Sequence, residues 1–157
     1  MNEPFFSGTL NRLLQILARI SPGATTLRVR LHRWRGVKIG KGVWIGYDAI
    51  IETGFPHLVT LKDRCSIGIR ATIIAHMREA RGVVIEEDAS VGPGALVLPN
   101  VTVGRGSVVT PGSVVTTSVP PMTMVQGNPA KPIARIGIPL RDDVSLKEFF
   151  KNLKPLR

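Results

Sequence analysis

The sequence predicts an all-β fold, a solenoid of short parallel strands, and three observations carry that expectation. Branched aliphatics recur every six residues: Ile39, Ile45, Ile51; then Leu61, Ile67, Ile73; then Ile85, Val91, Val97, Val103, Val109, Val115. Four residues after each stands a mostly small side chain, among them Ala49, Cys65, Ala71, Ala89, Ala95, Ser107 and Ser113. The 16 glycines and 12 prolines are spread along the chain, and aromatics make up only 5% of it.

A period of six fits neither an amphipathic helix nor a heptad repeat. It fits a prism in which every hexad makes one face and one corner. The aliphatic at the first position points inward. The small residue four later also faces in, near a corner, where a large side chain would meet the coil above. Cys65 falls on that slot, so packing is its expected role. Glycines permit the tight corners. Stacked coils bury a continuous aliphatic column, which explains why so few aromatics are needed.

The elements follow in order. Residues 1–36 form a basic N-terminal helical or capping segment. Within it, residues 5–20 place Phe5, Phe6, Leu10, Leu13, Leu14, Ile16, Leu17 and Ile20 around Arg12 and Arg19, the pattern of a short amphipathic helix. "SPG" at 21–23 ends it. Residues 24–35, "ATTLRVRLHRWR", alternate basic and apolar side chains and leave strand and helix both open. The hexad domain spans residues 37–136. Two interruptions break it: four extra residues in "ETGFPHLVT" between Ile51 and Leu61, and the charged "HMREARG" between Ile73 and Ile85. Loops that leave a rigid scaffold are where function concentrates. Residues 137–157 form a helical tail. There Ser145, with Glu148 three residues later, makes a capping-box pattern, and Phe149, Phe150 and Leu153 are expected to face inward.

Composition sets further bounds. At 157 residues the chain has room for one domain with a real core, and 43% hydrophobic content excludes general disorder. A single cysteine excludes an internal disulfide framework and fits a reducing compartment, so a cytoplasmic location is expected. No apolar run is long enough to span a membrane, and the N-terminus does not read as a signal peptide. The formal charge is +10, and residues 1–41 carry eight Lys/Arg against Glu3 alone. Such a front end could meet a membrane surface, with the protein peripheral at the inner membrane face, a nucleic acid or a polyanionic sugar, or it could be a solvated face that caps the solenoid. Nucleic acid is not expected, because no recognised motif accompanies the charge.

Three stretches make the assignment specific: "VKIGKGVWIGYDAII", "VVIEEDASVGPGALVLPNVTVGRGSVVTPGSVVTTSVP" and the closing "GNPAKPI". Over roughly residues 37–136 the chain resembles the hexapeptide-repeat acyltransferase family, and within it the sugar and polysaccharide O-acetyltransferase branch. That resemblance implies a left-handed parallel β-helix of hexapeptide repeats, a homotrimer, and acetyl-CoA as cosubstrate with no metal. The hand comes from the resemblance, since periodicity cannot supply it.

The chain has three histidines. His32 lies among arginines, His57 sits in the inserted turn, and His76 directly follows a hexad and opens a loop. The family's catalytic histidine stands in that last setting, before a restart that here reads "GVVI". The resemblance therefore implies His76 as general base toward an acceptor hydroxyl or amine, with no acyl-enzyme. It places coenzyme A along Ser90, Gly92, Pro93, Pro111, Gly112, Thr116 and Thr117, with Lys131 and Arg135 near the phosphates. Two positions depart from the family pattern: Ser90 where a tryptophan is common, and Thr117 where a lysine is common. For the acceptor, a soluble or lipid-linked sugar, the same logic points to Tyr47 and Asp48, with Glu79 as a group that could orient His76. A non-catalytic scaffold and a γ-class carbonic anhydrase-like zinc enzyme are the alternatives.

Overall fold

The computed structural model describes residues 5–77 and 81–156. It is a three-faced, left-handed parallel β-helix with helices at both ends. The first face stacks β1 (Lys38–Ile39), β4 (Val59–Leu61), β7 (Val83–Ile85) and β10 (Thr102–Val103). The second stacks β2 (Trp44–Ile45), β5 (Ser66–Ile67), β8 (Ser90–Val91) and β11 (Val108–Val109). The third stacks β3 (Ile50–Ile51), β6 (Thr72–Ile73), β9 (Leu96–Val97) and β12 (Val114–Val115).

Register shows how the interruptions are absorbed. Leu96 pairs with Val114, 18 residues on, the length of three hexads. Ile50 pairs with Thr72, 22 residues on, and Thr72 with Leu96, 24 residues on. Both extra lengths leave the prism at one corner, between the third and first faces. The strands above and below stay aligned.

The hexad aliphatics from Ile45 to Val115 are all at most 2% exposed, and Ile39, in the first coil, is partly buried. The small slots are as closed, from Val43 to Ser113. In the last coil two of those slots are serines, which need partners when buried. Ser107 Oγ donates to the Pro120 carbonyl at 2.6 Å, and Ser113 Oγ accepts from Gly127 N–H at 3.1 Å. Corner geometry explains other choices. Gly68 is required by proximity: a Cβ there would stand 2.4 Å from Pro93 N. Elsewhere the corner takes a left-handed φ on Asp48, Arg64, Arg70 and Asp88 as well as on glycines. Such residues carry a conformational cost. Their side chains pair between coils, Arg64 with Asp88 at 2.8 Å and Arg70 with Asp48 at 3.5 Å.

At the N-terminal end, α1 (Phe5–Ile20) and α2 (Leu27–Trp34) cover the first coil. The segment that left strand and helix open is thus helical over most of its length. Beyond the last coil, β13 (Thr123–Gly127) continues the second face, and β14 (Ala130–Ile136) and β15 (Leu153–Pro155) add to it antiparallel. The helix α3 (Leu146–Lys151) begins at Ser145, whose Oγ accepts from Glu148 N–H at 3.1 Å. Phe149 is buried as expected, but Phe150 is not. Its ring stacks edge-on to Phe149 at 5.7 Å, outside the small cluster that Phe149 joins.

Candidate active site

The corner where both insertions leave the prism holds a histidine and a glutamate from adjacent coils. Glu52 directly follows β3, and His76 stands three residues beyond β6. His76 Nδ1 is 2.8 Å from both carboxylate oxygens of Glu52. The carboxylate accepts four backbone N–H groups as well. Oε2 takes Ala75 at 2.7 Å and His76 at 3.1 Å; Oε1 takes Gly54 at 2.8 Å and Phe55 at 3.1 Å. Both insertions therefore begin by folding around one buried carboxylate.

Burial alone would push the Glu52 carboxyl upward. The hydrogen bonds from His76, Ala75, Gly54 and Phe55 outweigh it and hold the group below the usual carboxylate range. An ionised Glu52 only accepts, so His76 Nδ1 is the donor to it, and in the neutral tautomer that fits this contact Nε2 is the lone-pair nitrogen. The imidazole is nearly half exposed, while its partner is fully buried. Phe55 walls it, with ring centroids 5.5 Å apart, and His57 meets the same phenyl ring at 6.2 Å.

Glu52 has φ of +26°, a conformation costly for any residue with a Cβ. Its backbone is held from the N-terminal cap. Arg35 donates through Nη1 to the Ile51 carbonyl at 2.9 Å and through Nη2 to the Glu52 carbonyl. Arg35 Nε donates to Asn11 Oδ1 at 2.7 Å, and Asn11 Nδ2 donates to the Thr53 carbonyl at 2.5 Å. Arg35 Nη1 also meets His32 Nδ1 at 2.9 Å. Burial, then Arg35, lowers the His32 pKa to about 3, so this histidine is neutral and acts as an acceptor. His32 thus belongs to the cap, and only His57 and His76 lie at the corner.

The remaining sequence-derived residues fall into separate groups. Tyr47 and Asp48 lie at the corner between the second and third faces, one corner away from His76. Asp48 there accepts from Arg19 Nε at 2.7 Å, while Tyr47 is exposed. Gly92, Pro93, Pro111 and Gly112 stack at that same corner. Gly112 has φ of +69°, and nothing stands within 4 Å of where a Cβ would be, so backbone is open to a ligand. Ser90 lies on the second face, its Oγ bonded by Ser66 at 2.9 Å. It lines an apolar groove of about 310 Å³ with Trp44, Ile69, Val108 and Leu140. Thr116 and Thr117 are exposed at the histidine's corner, two coils further along. Lys131 and Arg135 are exposed on β14. Glu79 lies outside the described residues. Among the described residues no three His, Cys, Asp or Glu side chains converge as a metal site.

Sequence reasoning missed Glu52. A signal was there: Ile51 and Ile73 end equivalent hexads, and an insertion follows each. The residue after Ile51 had to share a corner with the segment after Ile73.

Residues 82–117 match the family described as bacterial transferase hexapeptide (six repeats). The chain is 32% identical to a serine acetyltransferase of Bacillus licheniformis, over 73% of this chain and 56% of that protein. It is 28% identical to a putative acetyltransferase, YvoF, of Bacillus subtilis, over 82% of this chain and 77% of that one. Among solved structures, a hexapeptide-repeat-containing acetyltransferase from Vibrio cholerae shares the fold with a TM-score of 0.67 at 23% identity, covering 83% and 90% of the two chains. In its repeat and its fold the chain is similar to hexapeptide-repeat transferases. It spans only part of the length of these relatives, 56% of the serine acetyltransferase and 77% of YvoF. No helix among the described residues is long and apolar enough to cross a membrane.

Proposed function

We propose that the protein is an acetyl-CoA-dependent acetyltransferase that acylates a hydroxyl or amine of a sugar or polysaccharide precursor, with His76 as general base. The observation that carries this reading is the Glu52–His76 pair, which engages Nδ1 and leaves Nε2 out of that contact on a nearly half-exposed ring. The acceptor O–H or N–H gives its proton to Nε2 as its heavy atom attacks the thioester carbonyl. The new acyl bond forms, the C–S bond breaks, and the proton passes from Nε2 to the departing thiolate. Glu52 stabilises the imidazolium between these steps. No protein nucleophile takes part: Cys65 is buried in the aliphatic column, and burial pushes its thiol up to about 12.

The donor suits surfaces elsewhere on the same prism. The apolar groove beside Ser90 matches the pantetheine arm in character, the open backbone at Gly112 permits close approach, and Lys131 and Arg135 are free to meet phosphates. In this reading the donor lies between subunits of a homotrimer, as the resemblance implies, and Tyr47 and Asp48 serve the acceptor. The nearly half-exposed imidazole favours a hydroxyl at the rim of a bulky acceptor, soluble or lipid-linked. A small amino acid such as serine is the second reading, supported by the name of the Bacillus licheniformis relative.

The test is release of free coenzyme A from acetyl-CoA in the presence of a panel of sugars, with serine alongside. Turnover with a sugar, lost in His76→Ala while acetyl-CoA binding persists, is the expected result. Binding without turnover on any acceptor, identical in wild type and His76→Ala, would favour a scaffold.

A further inference from the structure

The helix α1 is turned inside out relative to an ordinary surface helix. Its inward side carries Gly8, Asn11, Gln15 and Ala18. Its outward side carries Phe6, Leu10, Leu13, Ile16, Leu17 and Ile20, and Phe6 is 86% exposed. Amphipathic helices on water-soluble proteins bury their apolar stripe. Here the helix cannot roll to do so, because its polar side is committed. Asn11 holds Thr53 and Arg35, and Arg19 holds Asp48 at 2.7 Å. The same bonds that serve the Glu52 corner keep the apolar stripe facing away from the protein.

Charge decides what covers the stripe. From Phe5 to Tyr47 the chain has no Asp or Glu and eight Lys or Arg. A second copy seated on the stripe would bring two acid-free, cationic segments together. An anionic lipid surface accepts both features, taking the leucines into its acyl boundary and the cations among its headgroups. At 16 residues α1 is about 24 Å long, a length that suits lying along an interface rather than crossing it. On α2 the outward side adds exposed Trp34 with Arg30 one turn before it, the side-chain types that anchor at membrane interfaces.

We infer that the outward face of α1, Phe6 to Ile20, docks the protein onto anionic lipid bilayers. This goes beyond the transfer reading and stands whether or not acetyl groups are transferred. Where both hold, docking brings the His76 corner to acceptors carried on lipid.

The experiment is flotation of the full-length protein with vesicles of phosphatidylcholine alone or mixed with phosphatidylglycerol. Wild type should float with the mixed vesicles, weakly with phosphatidylcholine, and less at high salt. The variant Leu10→Gln/Leu13→Gln/Leu17→Gln should partition about ten-fold less or lower, with unchanged far-UV circular dichroism and particle size. As a check that needs no loss of folding, a polarity-sensitive dye on Leu13→Cys should shift to the blue on mixed vesicles; buried Cys65 leaves the labelling selective. Absence of wild-type flotation on mixed vesicles, equal flotation of the triple variant, or no dye shift overturns the inference. A triple variant that changes oligomeric state instead would assign the stripe to a second copy.

Discussion

Arg35 and Glu52 meet end to backbone: the guanidinium donates to the glutamate's carbonyl, while the carboxylate points the other way and grips His76. The segment that caps the solenoid therefore also fixes the geometry of the candidate site. Arg35→Lys keeps the charge but loses the fork that reaches Ile51, Glu52 and Asn11 together. It should lower kcat by up to about 10²-fold, as a misplaced base does, while KM for acetyl-CoA changes little. Steady-state kinetics with acetyl-CoA varied separate the two. An unchanged kcat would mean that the corner holds itself without the cap.

His76→Ala should lose about 10²–10⁴ in rate, the usual worth of a general base. Glu52→Gln should lose a large part of the same factor, because the amide no longer stabilises the imidazolium. The double variant should be little worse than His76→Ala, since the two side chains act as a unit. Additive losses in that cycle would separate their roles.

Acid should destabilise the protein in two stages. His32 has a pKa of about 3 when folded against ~6.5 when unfolded, so the unfolded chain takes up the extra proton. Its contribution is fully present above ~6.5 and declines toward pH ~3, with a slope of up to ~1.4 kcal/mol per pH unit. Glu52, lowered by its hydrogen bonds, adds a loss below the usual carboxylate range. Denaturant melts at stepped pH, compared with His32→Gln, measure the first stage. A slope unaltered in that variant would place the acid sensitivity elsewhere.

Cys65 should resist thiol reagents in the folded state and react on unfolding, because burial both hides it and raises its pKa to about 12. Cys65→Ala should be mild, whereas Cys65→Leu should cost about 1–3 kcal/mol by overfilling a slot beneath the next coil. Reagent titration and chemical denaturation check both statements. Rapid labelling of the native protein would show that this coil opens.

The coil plan was legible because a solenoid writes its geometry into the chain at fixed intervals: Ile67 predicts Ile73, and Ala89 predicts Ala95. His76 was legible as the residue where that rhythm fails. What escaped depends on contacts between segments whose spacing the insertions had altered. Glu52 and His76 are 24 residues apart, not 18, so the three-hexad step of the regular coils does not pair them. The direction of α1 was hidden for a different reason. Its pattern reads as a helix with one apolar side, and only Asn11 and its partners reveal that this side faces out. Phe150 escaped likewise, since a six-residue helix buries one phenylalanine and leaves its neighbour outside.

The aliphatic column has an optical consequence. Its buried members include no tryptophan, tyrosine or phenylalanine. Both tryptophans sit at the N-terminal end, Trp34 on α2 and Trp44 in the first coil. Intrinsic fluorescence is therefore a local reporter here, lit at one end of a stack whose coils contact only their neighbours. A melt followed at the tryptophan band would record fraying of that end, while the later coils would unfold in the dark.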